Sequence, residues 1–239
     1  MAWDPPIRPA ELAETRLIAA ILDGQFSINS TLPPERDLST QLGVTRPTLR
    51  EALQRLARDG WLEIRHGRPT RVRDYWHEGS LGVLGAIARS PGPLPPQFVP
   101  NLLVVRLALA PAYTRLAVEQ SPQAIADLLE AYQVIEDTPE AFAEADWHLH
   151  RVLTIASGNP VFTLILNGFG ALYHNLAGLY FASSEARAHS RSFYAGLLSS
   201  ARSSDPDGAE ALTRRVMRES IDIWRRVAAK AQGIERPCD

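Results

Sequence analysis

The sequence predicts a mainly α protein in two parts: an N-terminal module of three helices with a two-stranded β wing, and a C-terminal antiparallel helical bundle. Three observations predict it. Short helical runs punctuated by glycines fill residues 10–60 and lead into residues 61–73, WLEIRHGRPTRVR, where two alternating runs flank a glycine turn. The breaker cluster Ser90-Pro-Gly-Pro-Leu-Pro-Pro96 then divides the chain. From about residue 97 to residue 231 nearly everything has helical apolar periodicity.

Residues 10–22 place apolar side chains at helical spacing and form the first helix. Pro33-Pro34-Glu35-Arg36 opens the second, with prolines tolerated at its start and acids in its first turn, and Gly43 closes it. Thr45 caps a third helix that runs to Asp59 and stops at Gly60. A hairpin follows, 61–65 and 69–73 about the tip His66, Gly67 and Arg68. Helix, helix, tight turn, helix, ribbon is the order of a winged helix-turn-helix, here over 1–76. A linker over 77–96 contains a short helix, 80–89. The bundle spans 97–232 and breaks at Ser121-Pro122, Asp137-Thr138-Pro139, Ser157-Gly158-Asn159-Pro160 and Ser204-Asp205-Pro206-Asp207-Gly208, which gives six or seven antiparallel helices. Residues 233–239 form a tail.

At 239 residues and 45% hydrophobic, the chain can bury one large core or two moderate ones. The single cysteine, Cys238, argues against a disulfide framework or a thiol metal cluster. No basic-then-apolar leader and no uninterrupted apolar run near 20 residues stands in the sequence, so a soluble, cytoplasmic protein with no membrane partner is expected. Net charge is −2, yet residues 31–73 hold nine Arg against Glu35, Asp37, Glu51, Asp59 and Glu63, a local balance of +4. Basic residues concentrated on one module are an electrostatic footprint for nucleic acid. No enzyme is expected: there is no nucleophile–base–orienter set, phosphate-cradling glycine loop or paired carboxylates in a cleft.

In the third helix Leu49, Ala52, Leu53 and Leu56 make the buried stripe, while Arg46 and Arg50 lie four apart on another face, with Thr45 and Thr48 near the same end. Such a helix can present its N-terminal residues to base edges in a major groove. The planar fork of arginine bonds both acceptors of guanine, worth roughly 1–3 kcal/mol of discrimination. Arg36 is placed to hold a phosphate. A hairpin tipped with His66, Gly67 and Arg68 has little apolar surface to bury and needs an anionic partner.

The runs Pro34-Glu-Arg-Asp-Leu-Ser, Leu42-Gly-Val-Thr-Arg-Pro-Thr-Leu-Arg-Glu-Ala-Leu and Arg65-His-Gly-Arg-Pro-Thr closely resemble the GntR superfamily of bacterial transcription factors. Ala156-Ser-Gly-Asn-Pro-Val-Phe-Thr-Leu-Ile-Leu-Asn-Gly-Phe and Tyr180-Phe-Ala-Ser-Ser-Glu-Ala-Arg carry the resemblance into the second domain and narrow it to the branch that regulates fatty acid metabolism. It implies that Arg36, Thr45, Arg46, Thr48 and Arg50 take operator-contacting positions, and that His66, Gly67 and Arg68 form a wing tip entering the minor groove. Pro47 departs from that branch, which has threonine there, and a hydroxyl and an N–H are lost. The resemblance further implies a homodimer on a pseudo-palindromic operator of double-stranded DNA, repression of degradation genes and activation of unsaturated fatty acid synthesis.

Asp146 and His150 lie four apart on one helix face, a spacing that can share a metal. Many GntR relatives hold an ion with such a pair plus two later histidines, but the later positions here look like Tyr194 and Val216 or Met217, so no metal and no cofactor is expected. His148 or His174 as a further ligand is the alternative, and with it a regulator answering to a metal-bound organic acid. The resemblance implies instead a long-chain acyl-CoA effector, whose apolar tail and polyanionic head suit an apolar tunnel, with Leu103 in its wall, and an arginine mouth holding Arg106, Arg214 and Arg215. Arg106, Tyr180, Arg214, Ser220 and Trp224 match positions the branch uses around this ligand. Met217 stands where the branch has glycine, a bulk that could narrow the ligand's path or shift its chain-length preference.

Overall fold

The protein is described here by a computed structural model covering residues 8–90, 94 and 97–231. The chain separates into two compact units, Met1–Leu94 and Pro95–Asp239. The tail over 233–239 and most of the breaker cluster fall outside the described residues.

The first unit begins with α1 (Pro9–Leu22), α2 (Glu35–Leu42) and α3 (Arg46–Asp59). α1 packs mainly on α3, where Leu17, Ile18 and Ile21 meet the stripe Leu49, Ala52, Leu53 and Leu56, all buried. α2 ends at Gly43 in the left-handed region (φ 66°). α3 starts from Thr45, whose hydroxyl accepts the Thr48 N–H, a cap worth about 1 kcal/mol. Its end at Gly60 (φ 96°) is doubly constrained, because a Cβ there would stand 2.7 Å from the Gly79 Cα.

The wing is shorter than the sequence predicts. β1 (Leu62–Glu63) pairs antiparallel with β2 (Arg71–Val72), Leu62 opposite Val72 and Glu63 opposite Arg71. The lost pairing is partly replaced on the far edge of β2. The Asn29 N–H donates to the Val72 carbonyl, the Val72 N–H to Ser30 and the Leu32 N–H to Thr70. Pro69, with no N–H, cannot continue a ladder toward the tip.

α4 (Tyr75–Glu78) and α5 (Leu81–Arg89) occupy the segment expected as linker, but α5 belongs to the first unit. It buries Val83, Ala86 and Ile87 against α1 and α3. The Ser80 N–H and hydroxyl both donate to the Asp59 carbonyl, at 3.0 and 3.1 Å, which ties α5 to the end of α3.

The second unit contains seven α-helices among the described residues: α6 (Phe98–Gln120), α7 (Pro122–Ala131), α8 (Pro139–Ala156), α9 (Pro160–Gly168), α10 (Gly170–Phe181), α11 (Ser184–Arg202) and α12 (Pro206–Ala231). Prolines at the first position of α7, α8, α9 and α12 explain the predicted breaks. The breaks at Phe169 and at Ala182 carry no proline, and periodicity runs through them. Pro111 leaves α6 unbroken although it removes one intrahelical bond. α6 has a mean hydropathy of 1.3 over an 18-residue window, long and apolar enough by composition to cross a membrane. It also carries Arg106 and Arg115, and it packs on α7, α8 and α12. The core between them is built on Tyr113, Phe142, Leu149, Leu153, Phe193 and Leu197.

Candidate functional site

The first candidate surface lies on the first unit. Buried leucines on one side of α3 turn Arg46 and Arg50 outward, and both are exposed. Arg50 Nε donates to Glu35 Oε2 at 2.7 Å, while the Arg46 side chain makes no hydrogen bond or ion pair among the described residues. Arg36 is exposed, its Nε 3.3 Å from Asp37 Oδ1. The hydroxyls of Thr45 and Thr48 lie 2.8 Å apart. Since Thr45 accepts, one hydroxyl proton between them remains free to donate outward.

His66, Gly67 and Arg68 form an exposed tip, closed by the Arg68 N–H on the Arg65 carbonyl at 3.2 Å. Gly67 takes φ 71°, and a Cβ there would meet nothing within 4 Å. Glycine is therefore required by the turn and leaves the approach to the tip bare. Other arginines of the wing serve the fold: Arg65 and Arg71 both bond Glu63, Arg71 also bonds Asn29, and Arg73 bonds Glu78. Arg65, then Arg71, holds the Glu63 carboxyl below its usual range. A notch lined by Arg68, Thr70, Leu32, Pro34 and Glu35 joins the wing to the start of α2. All eight residues singled out in the sequence for DNA contact thus belong to one unit, with Arg36, Arg46, Arg50, His66 and Arg68 turned to solvent.

The second unit holds an apolar cavity of about 150 Å³. It gathers Leu103, Arg106, Tyr180, Ser220 and Trp224, the residues expected around a ligand, apart from Arg214. Arg214 lies on the outward face of α12 and bonds Glu210 at 2.6 Å, because its position points away from the face that carries Ser220 and Trp224. Arg215 is likewise exposed. Met217 is buried in the core cluster and is not among the cavity's lining residues.

Arg106 is not a free cation at a mouth. Its Nη2 donates to Asp146 Oδ2 at 2.8 Å and to His150 Nε2 at 2.5 Å. Tyr173 donates to the same Asp146 oxygen at 2.7 Å, Tyr194 approaches Oδ1 at 3.4 Å, and the Tyr113 hydroxyl lies 2.7 Å from His150 Nδ1. A neutral imidazole with its proton on Nδ1 satisfies both of its contacts. Burial, helped by Arg106, pushes His150 down to about 3 despite the pull of Asp146. Burial works against ionisation of Asp146, but Arg106 and then His150 outweigh it and hold the carboxyl below its ordinary value. Asp146 in turn outweighs burial and raises Arg106. The result is an apolar chamber with one charged, hydrogen-bonded end.

The pair read in sequence as a possible metal site is therefore engaged by a guanidinium. Among the described residues no group of three or more His, Cys, Asp or Glu is placed to hold an ion. His148 bonds Tyr132, and Tyr194 joins the network as a hydrogen-bond donor. The sequence reading missed Glu35, Tyr113 and Tyr173. Tyr113 stands seven residues after Arg106, two helical turns along the same face, which is the signal that could have found it.

The family described as bacterial regulatory proteins, gntR family, matches residues 9–72, and the FadR C-terminal domain matches residues 73–232. The chain is 42% identical over 225 residues to the fatty acid metabolism regulator protein of Klebsiella pneumoniae subsp. pneumoniae, covering 94% of each chain. The protein of the same name from Cronobacter sakazakii matches to the same extent. Among solved structures, the Listeria monocytogenes protein Lar, which controls expression of the agr system, is similar in fold at TM-score 0.55 and 14% identity, covering 95% of this chain and 99% of that one.

Proposed function

The chain belongs to the GntR family of bacterial regulatory proteins, with a FadR C-terminal domain, and from that premise we propose that it regulates fatty acid metabolism genes by binding operator DNA as a homodimer and leaving it when long-chain acyl-CoA binds. It is a transcription regulator and not an enzyme. GntR regulators bind DNA operators, and Arg46 and Arg50 supply forks for base edges in the major groove while His66, Gly67 and Arg68 enter the minor groove beside it. Arg36, with Thr45 and Thr48, holds phosphates. A two-fold dimer then requires a pseudo-palindromic site. Degradation genes are repressed and unsaturated fatty acid synthesis is activated.

The observation that carries the effector half is the apolar cavity whose wall holds Arg106, bound to Asp146 and His150. An engineered apolar cavity of about 150 Å³ holds one benzene. A long acyl chain needs more room, so it enters only if walls and the polar end rearrange. Leu103, Tyr180, Ser220 and Trp224 contact the chain. Binding that selects a rearranged bundle weakens operator binding, and operator weakens ligand binding by the same factor. Fluorescence anisotropy of labelled operator, titrated with acyl-CoAs of graded length, free acids and CoA alone, tests this. Release by long-chain acyl-CoA alone is expected. Release by an organic acid that depends on added divalent metal would replace this reading.

A further inference from the structure

We propose that Glu35 sets the base selectivity of Arg50, as a positioning residue that fixes which edge of the guanidinium meets DNA; the proposal rests on the DNA-binding reading above. Glu35 is the first residue of α2, and its Oε2 takes the Nε–H of Arg50, on the second turn of α3, at 2.7 Å. The arginine side chain is nevertheless 63% exposed.

A guanidinium can meet the two acceptors of guanine side-on, through Nε and one Nη, or end-on, through Nη1 and Nη2. With Nε–H held by Glu35 the side-on edge is taken. The remaining N–H groups make no other hydrogen bond among the described residues. Because all five N–H bonds lie in one plane, holding Nε also sets the plane in which the outer fork is presented. Among the described residues Arg46 has no such partner, and Arg36 meets only its chain neighbour Asp37. Glu35 lies in the first turn of α2, and its carboxylate faces α3 through Arg50.

The carboxylate has a second consequence. It lies beside the notch shared with Arg68 of the wing, where phosphates would approach, and it repels them. A surface that only needed to hold DNA would gain by losing Glu35. Its placement weakens attraction to every duplex equally while restricting the geometry in which Arg50 reads one base pair.

Glu35→Gln tests this, since it keeps length and one oxygen acceptor and removes the charge. An operator is first selected from random duplexes with the full-length wild-type protein. Affinities are then measured for that operator, for a set carrying single substitutions through it, and for an unrelated duplex, alongside the thermal midpoint. The variant should bind unrelated DNA more tightly and lose about tenfold in discrimination at one position, with an unchanged midpoint. That position is the one whose selectivity Arg50→Lys also abolishes, and in the Arg50→Lys background Glu35→Gln should change discrimination no further. Wild-type discrimination in Glu35→Gln overturns the proposal, as does a uniform loss on all duplexes with a lowered midpoint, which would make the pair a tie between α2 and α3. Failure of wild type to select any duplex would instead strike the DNA-binding reading, and the proposal with it.

Discussion

Arg106, in the wall of the bundle cavity, and Asp146 behind it form an ion pair, Nη2 to Oδ2 at 2.8 Å, with the aspartate side chain only 4% exposed and the arginine 24%. Removing one partner of a buried pair leaves the other charged and dry, which typically costs about 3–5 kcal/mol. Asp146 also receives Tyr173, so its loss strands more than one group. Asp146→Ala should therefore lower the stability of the protein by about 3 kcal/mol or more, read as a shift of the urea midpoint. Arg106→Met combined with Asp146→Leu should recover much of that loss, because no unpaired charge remains.

The same cluster makes stability depend on pH with a definite sign. The His150 ring is pushed down to about 3 in the folded protein, whereas an unfolded histidine takes up a proton near 6.5. Between those values the unfolded chain binds a proton that the folded chain refuses, so stability falls as pH drops from about 6.5 toward about 3. Asp146 adds in the same direction at lower pH: its carboxyl is depressed, so its contribution is present above about 3.9 and is lost as pH falls through the folded value. His150→Gln should flatten the decline between about pH 6.5 and about pH 4.5, measured as urea midpoints across that window. An unaltered slope would remove His150 from the acid limb.

The N-terminal unit was legible in the sequence because local chemistry fixes its ends. Gly43 and Gly60 adopt the left-handed turns expected of them, and Thr45 caps α3 as its hydroxyl permits. The wing was legible as a ribbon but not in extent, since its pairing with residues 29–32 is non-local. In the second unit, proline marked most helix starts, while the breaks at Phe169, between Gly168 and Gly170, and at Ala182 carry no proline and interrupt no apolar period. The residue types of the cavity were readable, but the state of Arg106 was not. Whether an arginine is a free cation or half of a pair depends on Asp146, forty positions away on another helix.

The arginines of the proposed DNA face differ in what they reach. Arg46, at the first position of α3, has no side-chain partner to displace among the described residues, whereas Arg36 sits at the start of α2 beside Asp37. Arg46→Ala should cost about 1–3 kcal/mol on the operator and relax preference at one base pair. Arg36→Ala should weaken binding to all duplexes about equally and lower the salt slope by roughly one. Binding measured over a salt series on operator and unrelated DNA distinguishes the two, and identical profiles would refute the division.

Ser220 offers a way to separate ligand response from folding. Among the described residues its hydroxyl bonds only the Met217 carbonyl of its own helix, and it lines the cavity. Replacing it with phenylalanine loses a bond worth about 1 kcal/mol and fills space that the acyl chain needs. Overpacking adds roughly 1–3 kcal/mol, within reach of a domain this size. The ligand-free variant should still bind operator as wild type does, because one phenyl ring matches a cavity of about 150 Å³ and does not force the rearrangement that a long acyl chain needs. Release should then require at least about tenfold more long-chain acyl-CoA, since each 1.4 kcal/mol lost from binding is a factor of ten. Anisotropy titrations of preformed operator complexes give both quantities, and release at the wild-type acyl-CoA concentration would show that the chain does not occupy this cavity.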